Sequence, residues 1–143
     1  MAAVFEEESE ALPDGYVDEL LARRDFWIIA AEDEDGEILG GLTAHTLPMT
    51  RAAYAEIFLY DIAVRVSRQR RGVGRALVAC LREQAAALGI TDVFVPAENE
   101  DAHALDFYRA LGGAAQEVTF FNFTSEETAQ ARAGAGPGAG ARG

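Results

Sequence analysis

The residues best suited to chemistry form a short segment, Gln69 to Gly74, which reads Gln-Arg-Arg-Gly-Val-Gly. It follows an apolar run typical of a strand and opens a stretch with apolar residues at helical spacing. The first turn of a helix carries unpaired backbone N–H groups and a partial positive charge, and glycine lets an anion approach the backbone. The segment therefore predicts a phosphate-binding turn at a helix N-terminus, although it matches neither G-x-x-x-x-G-K-[ST] nor G-x-G-x-x-G.

The charge distribution favours an anionic ligand at this turn. The chain of 143 residues has 24 acidic and 12 basic residues, a net charge of −12, and every basic residue is arginine. Five arginines fall within eleven positions: Arg65, Arg68, Arg70, Arg71 and Arg75. Without them the rest of the chain carries −17 (−12 minus 5), which excludes non-specific nucleic-acid binding. The acidity of the rest of the chain indicates either a cationic partner or an adaptation for solubility. The alternative to a phosphate-binding turn is a basic loop that only begins a solvent-exposed helix.

Carboxylates form the second group of candidate residues. Asp61 lies inside an apolar strand, Ile57 to Val64, where a buried charge is costly unless a partner compensates for it. A bound ammonium group would compensate, and so would an arginine of the chain itself. Glu98, Glu100 and Asp101 form an acidic loop that suits either a polycationic ligand or plain solvation.

Other functional classes find no support in the sequence. His45 and His103 have no partners at metal-ligand spacing, so no metal site is predicted. Cys80 has no second cysteine for a disulfide and is expected to pack within a helix. The N-terminus is acidic where an export signal is basic, and no apolar run approaches the ~20 residues that span a bilayer. We therefore expect no membrane segment and a cytoplasmic location.

The elements that must position these residues alternate along the chain. Helices are predicted from Asp14, as N-cap, to Arg24, from Val73 to Leu88 with Gly89 following, and from Ala102 to Leu111; strands are predicted at Phe26–Ala31, Glu37–Thr46, Ile57–Val64, Asp92–Pro96 and Val118–Phe123. An antiparallel hairpin followed by a β-α-β crossover indicates an α/β (α+β) fold with a mixed sheet. We expect one domain over residues 1–127 and a disordered Ala/Gly-rich tail over residues 128–143.

Two motifs resemble a known family at this point. Residues 69–74 resemble the pyrophosphate-binding motif of the GCN5-related N-acetyltransferases (GNAT), and residues 104–112, Ala-Leu-Asp-Phe-Tyr-Arg-Ala-Leu-Gly, resemble the family's A-x-x-[FL]-Y-x-x-L-G helix. The likeness spans about residues 26–123, with both motifs in the family's order. It implies a mostly antiparallel mixed sheet, splayed at the central strands, with helices on both faces.

The resemblance also implies a cofactor, acetyl-coenzyme A, in the splayed gap. The backbone of Ile62, Ala63 and Val64 would pair with the pantetheine arm like an added strand. The turn residues would hold the pyrophosphate, and they are Gln69, Arg70, Arg71, Gly72, Val73, Gly74 and Arg75.

A closer resemblance is to the type I aminoglycoside 3-N-acetyltransferases, in the Tyr60-Asp61 pair and in the acidic loop. It implies direct transfer of the acetyl group to a 3-amino group in a ternary complex, an activity that gives antibiotic resistance. Asp61 would act as base or orienting group, and Tyr108 as the acid for the departing thiolate. Tyr60, Asp61, Glu98, Glu100 and Asp101 would bind the polycationic substrate.

Several alternatives stay open. One alternative to an aminoglycoside acceptor is another polyamine, an amino sugar or a peptide amine. A second alternative is that the chain is a non-catalytic module that binds acyl-coenzyme A. The family's first strand has no counterpart before Asp14. An upstream start, a trimmed chain or a partner covering the exposed sheet edge would each explain this, and we expect a homodimer.

Overall fold

A computed structural model describes residues 12–125 of the chain. It contains helices α1 (Asp14–Ala22), α2 (Val73–Ala87) and α3 (Ala102–Ala110), and strands β1 (Phe26–Glu32), β2 (Ile38–Pro48), β3 (Ala55–Val64) and β4 (Val93–Phe94). The predicted tail, residues 128–143, lies outside the described part. The strands form one sheet in the order β1-β2-β3-β4. The first two pairings are antiparallel and the third is parallel, which confirms the mixed, mostly antiparallel fold.

The core lies between the sheet and α2. Leu42 of β2 and Ile57 and Leu59 of β3 are fully buried against Leu77 and Leu81 of the helix. The two helix leucines are four residues apart, so they lie on one face and point at the sheet together. This packing fixes where the N-terminus of α2 lies relative to the end of β3.

A β-bulge interrupts β3 next to Asp61, the candidate base or orienting group. Thr43 and Ala44 are consecutive in β2, but their partners in β3 are Asp61 and Leu59, so Tyr60 is an additional residue. The bulge keeps buried residues on the α2 side both before and after it, while Tyr60 is 56% exposed. Asp61 is left half-buried at the point where the strand's pleat is broken.

The sheet opens between β3 and β4. Only Ile57 and Phe58 pair with β4, opposite Val93 and Phe94. The closed end is held by the hydroxyl of Tyr54, 2.6 Å from that of Thr91. Beyond Phe58, β3 continues to Val64 without a partner on this side. The gap therefore runs alongside the bulge and the end of β3, and β4 is shorter than the predicted Asp92–Pro96.

Two predictions about elements are wrong. Val118–Phe123 forms no strand: its phenylalanines favour extended backbone, but no segment among residues 12–125 pairs with it to form a ladder of hydrogen bonds. Asp14 is the first helical residue and Pro13 the N-cap, whose side chain offers no capping oxygen. The remaining elements agree with the predictions within a few residues, and Gly89 has the positive φ (80°) expected after a helix.

Candidate active site

The glycine turn has the backbone geometry of an anion cradle. Gly72, the N-cap of α2, has φ 83°, and Arg70 has φ 64°. Between residues 12 and 125, no acceptor pairs with any backbone N–H group from Arg70 to Arg75. Consecutive free N–H groups at a helix N-terminus suit a phosphate group. The backbone of the turn is therefore compatible with the predicted phosphate binding, which stays a prediction.

The side chain of Gln69 links the glycine turn to β3. Its side-chain Nε2 donates to the carbonyl oxygen of Val64 at 3.1 Å. This bond ties the turn to the end of β3, five residues earlier. The side chain thus sets the distance between the gap and the turn.

The five clustered arginines divide into one that is paired, Arg65, and four that form no ion pair with the described residues. Arg65 forms an ion pair with Glu37 at the end of the β1–β2 turn, and its backbone N–H donates to Leu39. Arg68, Arg70, Arg71 and Arg75 form no ion pair with any residue that the structure describes. Those four guanidinium groups remain available to a polyanion at the turn.

Helix α3 forms the opposite wall of the turn. A Cβ on Gly74 would lie 3.0 Å from the ring of Phe107, so only glycine lets the two helices approach this closely. A cleft of about 330 Å³ lies between them, lined by the turn and by His103, Asp106 and Phe107. Asp106 and Phe107 were not predicted as cleft residues, although their spacing from His103 places all three on one helix face.

The two predicted catalytic side chains are both partly buried, and the charge of Asp61 acts on Tyr108. Burial raises the pKa of Tyr108 well above its usual value, and the negative charges of Asp101 and then Asp61 raise it further. The Tyr108 hydroxyl is buried and has no hydrogen-bond partner among the described residues. Burial also raises the pKa of Asp61, which makes no hydrogen bond or ion pair with the described residues. Burying these two polar groups without partners lowers the stability of the fold, and a ligand that forms hydrogen bonds with them would offset this cost.

The acidic loop is only partly free. Asp101 is the N-cap of α3, and its Oδ1 accepts a hydrogen bond from the backbone of Ala104 at 3.0 Å. Glu98 and Glu100 are exposed, and their carbonyl oxygens close the turn that leads to the cap. Two carboxylates are thus open to a cationic ligand, while the third also holds the helix that carries Tyr108.

Tyr60 belongs to a row of rings across the sheet face opposite α2. Its ring meets His45 edge-on at 5.7 Å between centroids and Phe58 at 5.6 Å. The row continues from His45 to Phe26 at 5.4 Å and from Phe58 to Phe94 at 4.9 Å. This arrangement fixes the ring of Tyr60 next to Asp61 while leaving much of it exposed.

The described residues fit a thioester of coenzyme A. The free N–H groups of residues 70–75 and the unpaired arginines suit its phosphates, and the unpaired edge of β3 at Ile62, Ala63 and Val64 suits its pantetheine amides. The partnerless Tyr108 hydroxyl suits the sulfur. Over residues 12–125, no group of three or more side chains is placed to hold a metal ion. In the same range no helix has both the length and the apolarity to cross a bilayer.

Comparisons with solved structures find aminoglycoside acetyltransferases from uncultured soil metagenomic samples. The protein meta-AAC0020, solved with trehalose, is 33% identical, with 87% of this chain and 83% of that chain covered and a TM-score of 0.79. The same protein has been solved with sisomicin, at 32% identity. A second, HMB0005, is 33% identical, with 87% and 85% covered and a TM-score of 0.78.

A more distant structure shares the fold. AAC(6')-Iy, in complex with a bisubstrate analogue of coenzyme A and acetylneamine, is 19% identical, with 86% of this chain and 88% of that chain covered and a TM-score of 0.74. A search of curated proteins finds no match. The sequence profile of the acetyltransferase (GNAT) family matches residues 1–112, more than three quarters of the chain. The cradle, the splayed sheet and this match lead to one conclusion: the chain belongs to the GNAT family of acetyltransferases, which use acetyl-coenzyme A.

Proposed function

We propose that the protein is an acetyl-coenzyme A-dependent N-acetyltransferase of aminoglycosides that acts on the 3-amino group. The observation that carries the proposal is the pair formed by Tyr108, with its partnerless buried hydroxyl, and Asp61, unpaired in the bulge beside the gap. The neighbours at 32–33% identity, described as aminoglycoside acetyltransferases, support this acceptor class. The position on the acceptor rests on the resemblance of Tyr60-Asp61 and the acidic loop to the 3-N branch.

The cofactor would be held at both ends of the gap. Its diphosphate would be held by the backbone N–H groups from Arg70 to Arg75, and the unpaired arginines would add positive charge there. Its pantetheine arm would pair with the free edge of β3 from Ile62 to Val64. Acetyl-coenzyme A supplies a thioester carbonyl that an uncharged amine can attack directly.

Asp61 prepares the acceptor amine. Aminoglycoside amines are largely protonated at neutral pH, and an ammonium group has no electron pair for the attack. Burial raises the pKa of the Asp61 carboxyl, which makes it a stronger base than an exposed aspartate. The carboxylate attracts the ammonium group, removes a proton from it and orients the amine.

Tyr108 serves the leaving group. Its raised pKa keeps the phenol protonated at neutral pH, so that its proton is present when the thiolate begins to leave. As the new nitrogen–carbon bond forms and the carbon–sulfur bond breaks, the hydroxyl gives its proton to the sulfur, and the acetylated nitrogen loses its second proton to solvent. The proton on Asp61 then leaves to solvent, and Tyr108 regains one from solvent, which restores both groups.

The acceptor would lie on the acidic side of the gap. The exposed Glu98 and Glu100 attract its further ammonium groups, Asp101 adds a negative charge beside Tyr108, and the ring of Tyr60 provides an apolar surface for a sugar. We also propose that the enzyme is a homodimer and that it acts in the cytoplasm, where acetyl-coenzyme A is available. In a bacterial host its activity would reduce susceptibility to the acetylated drugs.

A thiol-release assay with a panel of aminoglycosides tests the proposal. Sisomicin, other 2-deoxystreptamine drugs, spermidine and glucosamine would each be offered with acetyl-coenzyme A, and two-dimensional NMR of the product would identify the acetylated nitrogen. We expect turnover with 2-deoxystreptamine drugs and a 3-N-acetyl product. Turnover only with spermidine or glucosamine would reject the acceptor class, a product acetylated elsewhere would reject the 3-amino position, and cofactor binding without any turnover would reject catalysis.

A further inference from the structure

The cleft between the glycine turn and α3 carries charged or titratable groups on both of its walls. Arg70 and Arg75 line it from the turn, and His103 and Asp106 line it from α3. Among the described residues that line the cleft, the others are glycines, Gln69 and apolar side chains. An anion that occupies this volume of about 330 Å³ therefore lies between two arginines on one side and a histidine and an aspartate on the other.

Helix α3 holds its two cleft residues at a fixed place beside the turn. Ala104 is 1% exposed, and its backbone N–H group donates to the side chain of the N-cap residue. One turn further on, the ring of Phe107 lies so close to Gly74 that a Cβ there would be 3.0 Å away. His103 and Asp106 each adjoin one of these anchored residues, and their spacing of three places them on one helix face.

The two cleft residues of α3 differ in how they suit a diphosphate. His103 and Asp106 are exposed and form no ion pair within residues 12–125. The carboxylate of Asp106 repels phosphate, whereas an imidazole titrates between pH 5 and pH 8 and can become a cationic donor. Of the other groups nearby, Asp101 accepts a hydrogen bond in the helix cap, and Val64 at the end of β3 is uncharged. His103 is therefore the group on this wall that can change its charge to suit the ligand.

We propose that His103 is a cofactor-binding residue, which takes up a proton from solvent as coenzyme A binds and holds the diphosphate from the α3 wall. The imidazolium repels the arginines across the cleft in the free protein, and the phosphates between them remove this repulsion. Because the proton and the ligand stabilise each other, the affinity for coenzyme A falls as the pH rises through the range in which imidazole titrates. The inference rests on the cofactor site proposed above and is independent of the acceptor.

Calorimetric titration with dephospho-coenzyme A tests the proposal. This ligand keeps the diphosphate and lacks the 3′-phosphate, a monoester whose second ionisation at about pH 6 would obscure that of the histidine. Titrations at pH 6 and pH 8 measure the affinity. Titrations at pH 7 in PIPES and in ACES, two buffers that differ in ionisation enthalpy, measure the number of protons taken up.

The two histidines of the chain provide a variant and its matched control. We expect the wild type to bind about threefold more tightly at pH 6 than at pH 8 and to take up about 0.3 proton per ligand. His103→Gln keeps a polar side chain that does not titrate, and it should show neither the pH dependence nor the uptake. His45→Gln should retain both, because His45 lies in β2 within the row of rings across the sheet.

A charge variant on the same helix face supplies a second measurement. Asp106→Asn removes the group that repels the phosphates, so it should bind dephospho-coenzyme A about threefold more tightly than the wild type at pH 8. Weaker binding by Asp106→Asn would overturn the proposed arrangement of charges. Equal proton uptake by the wild type and by His103→Gln would overturn the role of His103.

The remaining outcomes separate this inference from the proposed activity. A His103→Gln variant that keeps the wild-type uptake but loses thiol release would assign the imidazole to acetyl transfer, which overturns the inference. No binding of either dephospho-coenzyme A or acetyl-coenzyme A would overturn it together with the cofactor site. Proton uptake that depends on His103, in a protein that acetylates no amine, would support the inference while rejecting the proposed activity.

Discussion

Replacing Tyr108 by phenylalanine should stabilise the protein while removing most of its activity. The substitution deletes one atom, a hydroxyl oxygen that is buried without a hydrogen-bond partner. An unsatisfied buried polar group costs about 1–3 kcal/mol, and the phenylalanine ring retains the packing of the tyrosine against Phe107. A gain of ~1 kcal/mol in the free energy of unfolding should raise the midpoint of thermal unfolding by roughly 4 °C.

The pH dependence adds an independent check. Because burial and neighbouring carboxylates raise the pKa of Tyr108, the folded state keeps its proton at a pH where the unfolded chain has lost it. The unfolded state then binds fewer protons, so wild-type stability falls as the pH rises above about 10. The phenylalanine variant lacks this loss, and its advantage should widen between pH 8 and pH 10.5 in urea titrations.

Tyr108→Phe should lower the rate of turnover even though it raises the stability. Loss of a general acid lowers turnover by roughly 10²–10⁴-fold, and the affinity for acetyl-coenzyme A should change little because the turn is untouched. Calorimetry of thermal unfolding measures the change in stability, and thiol release at saturating substrate measures the change in turnover, both on the same preparation of the variant. Tyr54→Phe is the control, since its hydroxyl bonds to Thr91 at 2.6 Å and its loss should lower stability.

Two results would refute the reasoning. A Tyr108→Phe variant less stable than the wild type would mean that the hydroxyl has a partner in the folded protein. A variant with undiminished turnover would mean that another group protonates the sulfur.

Three further substitutions test the neighbouring parts of the site. Asp61→Asn should lower turnover at least ~100-fold with unchanged cofactor affinity by calorimetry. The variant should also be more stable than the wild type at pH 7, because burial raises the pKa of Asp61 in the folded state and the wild type therefore loses stability as the pH rises past about 4. Equal losses of cofactor affinity and turnover would show that Asp61 has a structural role. Gly72→Ala and Gly89→Ala impose the same strain, at φ 83° and 80° with open space around each Cβ, and each should cost about 1–2 kcal/mol in urea titrations. Only Gly72→Ala should weaken acetyl-coenzyme A binding, and equal affinities in the two variants would contradict the cradle. Gln69→Leu should raise the dissociation constant of acetyl-coenzyme A about tenfold, since a lost bond to Val64 of about 1.4 kcal/mol frees the turn; unchanged affinity in calorimetry would show that the bond positions nothing.

Local signals accounted for the parts of the site that depend on short stretches of chain. The start of α2 at Val73 and its end before Gly89 follow from glycine positions and helical spacing, which act within one or two turns. The turn at residues 69–74 was predicted for the same reason. The mixed sheet followed from the order of the elements, since a hairpin and a crossover allow few topologies.

Features that depend on contacts between residues far apart along the chain could not be predicted from the sequence. The bulge at Tyr60 arises from the register between β2 and β3, and the contact of Gly74 with Phe107 joins two helices about thirty residues apart. The bond from Gln69 to Val64 requires the end of β3 to be in place first. Val118–Phe123 was predicted as a strand because propensity is local, whereas a ladder needs a partner.

The central claim is that the arginine-flanked turn after β3 holds the diphosphate of coenzyme A. Titration of isotope-labelled protein with coenzyme A, followed through backbone amide resonances, tests it most directly, with pantetheine as the ligand that lacks the diphosphate. We predict that the amides from Arg70 to Arg75 shift most with coenzyme A and remain in place with pantetheine. Unmoved amides in this turn at saturating coenzyme A would contradict the account.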